Sequence, residues 1–200
     1  MVTLVDPAAP DTRSKILIAA ATMIGEDPTA RLSVRGVAAR AGVSTGSLRH
    51  FFPTQRELID TVVEGLQSLD LPEDPIADHS KEPAERLEGC LHLLLASIGS
   101  GASARQNWAA LHDAYVAVPV AGDAEHTFLA MERLAVDRVE RWLSVLRLEG
   151  VLQDGSPEEH ARFLLTVVNG LALERALPGA PARTAFERAS MRLAVAAVLR

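Results

Sequence analysis

The stretch AGVSTGSLRHFF, residues 41–52, decides how this chain is read. Before it lies VRGVAARA, with Ser33 placed to cap a short helix and Val34, Val37, Ala38 and Ala41 spaced to face inward. Gly42 stands at the end of that helix, where a left-handed residue is needed. Ser44 then caps a second short helix, which Pro53 stops because proline cannot continue the hydrogen-bond ladder. Two short helices joined by Ala-Gly-Val must cross steeply, with Val43 and Leu48 filling the corner against Val37 and Ala38. This is a helix-turn-helix, an arrangement whose second helix enters the major groove of duplex DNA. Such a helix needs small or polar residues at its N-terminal end, so that its backbone can approach base edges. Ser44, Thr45, Gly46 and Ser47 meet that need, while Phe52 docks the helix on the core. Gly46 costs about 1 kcal/mol relative to alanine inside a helix, a choice that makes sense where something bulky must come close.

Working outward, Asp11 or Thr12 caps an upstream helix through KILIAAATMIG, with Ile16, Leu17, Ala20, Met23 and Ile24 inward and Gly25 and the Asp27-Pro28 pair ending it. Downstream, Thr54 begins a fourth helix carrying Leu58, Ile59, Val62, Val63 and Leu66 on one side. LPEDPIADHSKEP, residues 71–83, is rich in proline and charge and reads as a linker. Longer amphipathic segments follow over residues 84–98, 103–116, 123–148, 157–177 and 184–199. No segment alternates with period two. The expectation is an all-α protein of about nine helices. Residues 1–65 form a three-helix DNA-reading domain with its trailing helix, and residues 66–200 form a larger helical domain.

Composition agrees with this. Apolar residues make up 48% but aromatics only 4%, the excess being Ala, Leu and Val. No apolar run approaches the roughly 20 residues of a membrane-spanning helix, and residues 1–10 lack the basic start of a signal peptide. Cys90 is the single cysteine, which excludes an internal disulfide or a cysteine zinc site and points to a reducing cytoplasm. The six histidines show no H-x-x-x-H or carboxylate spacing, so no metal site and no cofactor is expected. The net charge of −6 hides an asymmetry: five arginines (Arg31, Arg35, Arg40, Arg49, Arg56) and no acid lie between Thr29 and Arg56. A basic face on an acidic body is the footprint of a small DNA reader attached to a non-binding domain.

The segment LSVRGVAARAGVSTGSLRHFFPTQRELIDTVVE, residues 32–64, resembles the TetR family of transcriptional regulators, and the preceding helix supports the resemblance. SLRHFF together with NGLALERAL, residues 169–177, looks most like the BetI-type branch. Three positions depart from the family pattern: Thr45 and Gln55 stand where lysine is frequent, and Arg49 where tyrosine is. Arg49 can replace a lost phosphate contact with a bidentate, permanently charged grip. The resemblance implies that Arg35, Thr45 and Gly46 face base edges. Ser33, Ser44, Ser47, Arg49, His50 and Phe51 would hold or flank phosphates, with Ser33 and Ser44 acting first as helix caps.

For the larger domain the resemblance implies effector binding and homodimerisation, the last two helices packing on their symmetry mates. Phe163, Val167, Gly170, Leu171 and Ala172 would supply one surface, and Phe186, Leu193, Ala196 and Ala197 the other. A pocket is expected between the helices that hold Cys90, Trp108 and Phe128. Its candidate liners are His92, Trp108, His112, Tyr115, Phe128, Met131, Arg138 and Asn169, taking a small molecule of mixed polarity. The expected function is a ligand-responsive repressor of a roughly palindromic operator. No G-x-S-x-G elbow, P-loop or dinucleotide fingerprint argues for an enzyme. The alternative is a helical ligand-sensing or protein-binding dimer that has lost its DNA grip, motivated by the missing lysine and tyrosine.

Overall fold

The computed structural model describes residues 11–26, 32–67, 74–179 and 183–200, so Asp27, Pro28, Arg31 and residues 71–73 of the expected linker lie outside the described residues. These residues form nine α-helices, one 3₁₀ turn and a single isolated β-bridge. The chain divides into two compact units, Met1–Ser68 with Ala121–Met131, and Leu69–Val120 with Glu132–Arg200.

The first unit contains α1 (Thr12–Glu26), α2 (Val34–Ala41), α3 (Thr45–Phe51) and α4 (Gln55–Gln67). Asp11 is the cap of α1, its Oδ1 accepting the Ser14 amide at 2.7 Å. The helix passes through Gly25 to Glu26, so Gly25 is not its end. Ile16, Ala19, Ala20 and Ile24 of α1 are buried, together with Leu32, Val37, Ala38, Leu48, Phe52, Leu58, Ile59, Val62 and Val63. Leu17, Met23 and Leu66, expected on the inward stripes, are only half-buried. Thr54 caps α4 by accepting the Glu57 amide at 3.1 Å. The trailing helix α4 belongs to this unit, and so do the first turns of α7 (Asp123–Leu148). His126 Nε2 lies 2.8 Å from Asp60 Oδ1 and fastens those turns to α4.

The second unit is built from α5 (Pro83–Ser97), α6 (Gly101–Tyr115), the remainder of α7, α8 (Pro157–Ala176) and α9 (Arg183–Val198). Leu87, Leu91, Leu95, Val139, Trp142, Leu143, Leu146, Leu164, Met191 and Val195 form its centre. The bridge between Leu152 and Leu199, with Gln153 N–H donating to the Val198 carbonyl at 2.9 Å, ties the chain end to the loop after α7. The expected linker is corrected from Asp74 onward. Pro75–Ala77 is a 3₁₀ turn whose Ile76 is buried in the core. Asp74 accepts from Trp142 Nε1 at 2.8 Å and from Arg138 at 3.1 Å.

Three arginine–carboxylate pairs lock this unit together. Arg86, 2% exposed, grips Glu149 with both terminal nitrogens and donates to the Ile76 carbonyl at 2.9 Å. Arg138 pairs with Asp74 and stacks over Trp142, 5.2 Å from the ring centroid. Arg175 makes two 2.7 Å bonds to Glu187 and caps α5 by donating to the Leu95 carbonyl at 2.9 Å, so α5, α8 and α9 meet at one guanidinium. Fork-to-carboxylate geometry of this kind is the strong form of charge-assisted hydrogen bonding. It leaves little charge unneutralised where desolvation would be expensive.

Arg175 holds the Glu187 carboxyl below its ordinary value, first through these hydrogen bonds and then through its charge. A carboxyl lowered on folding stabilises the native state above its unfolded value, and that stabilisation is lost as pH falls through the lowered native value. Glu187→Gln should therefore cost about 2–3 kcal/mol at neutral pH. The gap between variant and parent should close as pH drops below about 4, as read from urea midpoints over that range.

Candidate nucleic-acid interface

The Ser33 and Ser44 hydroxyls set the two short helices. Ser33 Oγ accepts the Gly36 amide and Ser44 Oγ accepts the Ser47 amide, each at 3.0 Å. Gly42 adopts φ 67° and ψ 32°, and its amide returns to the last carbonyls of α2. Val43 N–H follows at 3.0 Å from the Ala38 carbonyl. This closed turn fixes the direction in which α3 leaves α2. Leu48 is fully buried and Phe52 nearly so, which seats α3 by one side. Phe52 N–H bonds the Leu48 carbonyl at 2.8 Å and ends the helix ahead of Pro53.

Seating α3 this way turns the other side outward. Ser44, Thr45, Gly46, Arg49, His50 and Phe51 are exposed and Ser47 is half-buried, with Ser33 and Arg35 exposed on the α2 side. All nine expected contact residues are therefore exposed or half-buried, on α2, on α3 or at their caps. Each cap uses one lone pair of Ser33 or Ser44 and leaves the hydroxyl proton able to donate to a phosphate. His50 and Phe51 meet edge-to-face with centroids 5.2 Å apart. Arg13 of α1 stacks 5.5 Å from the Phe52 centroid, a cation beside α3 that sequence reasoning missed. No periodicity announces a contact between α1 and the end of α3.

The expected effector liners are scattered by comparison. Phe128 is exposed and Met131 half-buried, and both group with the first unit. Asn169 and His112 are exposed, the latter 3.2 Å from Asp113. Arg138 is committed to Asp74 and Trp142 rather than waiting for a ligand. His92, Trp108 and Tyr115 remain half-buried. The charged residues that organise this unit, Arg86, Glu149, Arg175 and Glu187, were not singled out from sequence. A signal existed: Arg86 stands four residues before the inward Cys90, and Arg175 three after the inward Ala172.

Residues 16–62 match the family described as bacterial regulatory proteins, tetR family. The matched segment runs from α1 through α4 and contains the helix-turn-helix. Over 78 residues the chain is 36% identical to the HTH-type transcriptional repressor KstR2 of Mycobacterium tuberculosis. That match covers 38% of this chain, and the chain spans about 39% of the length of this relative. A TetR-family transcriptional regulator from a Rhodococcus species superposes with a TM-score of 0.58 at 20% identity, over 94% of this chain and 98% of that one. A TetR-family regulator from Agrobacterium tumefaciens gives 0.54 at 19% identity, over 95% and 100%. At such identities the structural likeness establishes the TetR-type fold across both units, while the sequence match is concentrated on the helix-turn-helix and its flanking helices.

Two glycines one turn apart in sequence should respond oppositely to alanine. Gly42→Ala forces a side chain into the left-handed region and should cost roughly 1–2 kcal/mol. A Cβ on Gly46 meets only Ser44 Oγ at 3.7 Å, so Gly46→Ala should stabilise the free protein by up to about 1 kcal/mol. Thermal unfolding of the two variants side by side checks both signs.

Proposed function

We propose that this protein is a transcriptional repressor that binds a roughly palindromic operator as a homodimer and is released by a small-molecule effector. The observation that carries the reading is the α3 surface, which buries Leu48 and Phe52 while presenting Thr45, Gly46, Arg49 and His50 outward. Arg35, Thr45 and Gly46 face base edges in this reading: arginine can bond guanine O6 and N7 together, and threonine can touch a thymine methyl. Ser33, Ser44, Ser47, Arg49, His50 and Phe51 hold or flank phosphates, which position the protein without specifying sequence. The similarity to a named repressor, KstR2, supports repression rather than activation.

Dimerisation is supported by apolar groups that α8 and α9 leave in water. On α9, Phe186 is 68% and Leu193 72% exposed, and Ala196 and Ala197 continue the stripe. On α8, Phe163, Gly170 and Leu173 are exposed, whereas Leu171 and Ala172, expected on the same surface, point into the core. Asn169 lies on this outer side, where an interfacial hydrogen bond suits it better than an effector. A twofold dimer explains a palindromic site, since each copy reads one half. Effector control then follows from linkage: a ligand preferring a state with poor operator affinity lowers that affinity by its differential binding. No described helix is long and apolar enough to cross a membrane, and the reading places the protein in the cytoplasm.

Operator binding should weaken steeply with salt, and Arg49→Ala should make the log–log slope shallower by about one unit. A flat slope, or no protected site on genomic DNA, favours the ligand-sensing dimer without a DNA grip. Leu193→Asp should convert the dimer to a folded monomer by light scattering and lower operator affinity by at least tenfold, about 1.4 kcal/mol.

A further inference from the structure

Four buried polar atoms lack a hydrogen-bond partner among the described residues: Arg86 Nε, Arg138 Nε, His160 Nδ1 and Trp108 Nε1. The first two belong to guanidiniums whose other nitrogens already bind carboxylates. In one tautomer His160 Nδ1 is only an unused lone pair, a small loss compared with a buried donor. Trp108 differs in kind. An indole has one polar function, a donor, and here that donor goes unused inside an apolar setting. Trp142, the other tryptophan, shows the ordinary solution, giving its N–H to Asp74 at 2.8 Å.

Trp108 lies on α6, which packs on α8. Of the 15 residues of α6 only Ala104 is fully buried, and Trp108 leans on the core half-buried. Most of α6 is thus exposed or half-buried, which suits the cover of a guest site. The three best-buried arginines of this unit offer such a guest no spare charge. Arg86, Arg138 and Arg175 are matched by Glu149, Asp74 and Glu187. Burial pushes the Cys90 thiol up to about 12, so it too is neutral. An anionic or cationic guest would be desolvated without a counter-charge, a penalty that sends it back to water.

We propose that the second unit takes an uncharged, largely apolar molecule whose single hydrogen-bond acceptor, such as a ketone or ester carbonyl, receives the Trp108 indole N–H beneath α6. The proposal rests on reading this unit as the effector-binding half, and it narrows the expected mixed-polarity ligand to a neutral one. The full chain, without DNA, is titrated with methyl hexyl ketone, octanoate and octylammonium while the two indole N–H signals are followed by nitrogen-15 NMR. Trp108→Phe assigns the signals. The Trp108 resonance should move downfield and saturate with the ketone while the Trp142 resonance stays. The two ions should bind at least about tenfold more weakly, and Trp108→Phe should weaken the ketone about fivefold, the worth of one neutral hydrogen bond. The variant should melt no lower than the parent, since the lost donor had no partner. Equal binding of octanoate or octylammonium, no ketone shift at Trp108, or unchanged ketone affinity in Trp108→Phe each overturns the proposal. Operator binding on the same preparation separates the two ideas: its loss with the ketone response intact sinks the repressor, and the reverse sinks the neutral-ligand site.

Discussion

The left-handed turn at Gly42 is the constraint on which the proposed DNA-reading surface depends. With φ at 67°, the chain closes α2 on its own carbonyls and leaves in a direction no ordinary L-residue adopts cheaply. Everything about α3 follows from that exit. Leu48 reaches the core, Phe52 anchors the far end, and the intervening residues have nowhere to go but outward. A seven-residue helix cannot sustain itself in water. It exists because a cap at Ser44 and two apolar anchors hold it, so its exposed side is free to be chosen for something other than stability.

The second unit solves a different problem. Its helices are rich in alanine and leucine, which pack well but discriminate poorly among possible packings. Arg86, Arg138 and Arg175 each bring together segments distant in sequence, and each requires one carboxylate in one place. Such pairs add modest net stability, because both partners are stripped of water. What they contribute is a penalty on every alternative packing that strands one partner alone. Arg175 also satisfies the Leu95 carbonyl at the end of α5, so the same guanidinium serves charge pairing and helix capping.

This division explains what was legible in the sequence. The first unit was readable because its signals are local: caps, a glycine stop, a proline stop and apolar spacing all fall within a few residues of the feature they determine. The amphipathic helices of the second unit were readable for the same reason, to within a residue or two at their ends. The partnership of Arg86 with Glu149 spans 63 positions, and nothing local encodes it. The stretch from Asp74 to Glu82 shows the opposite failure. Its proline and charges look like a linker, yet Ile76 and Asp74 are drawn into the core by α5 and α7.

Gly46 and Trp108 stand out against this background for one shared reason. A sequence that specifies its fold tends to agree with itself at every level, and departures gather where function is exerted. Gly46 weakens a short helix although its neighbours leave room for a larger residue. Trp108 buries a donor that finds no acceptor within the chain. Neither choice serves the isolated molecule. Each becomes sensible once a second body is present: a groove floor pressed against Gly46, and a carbonyl oxygen against the indole. The two departures lie in different units, one on the proposed operator-binding surface and the other at the proposed guest site, as a regulator that connects the two requires.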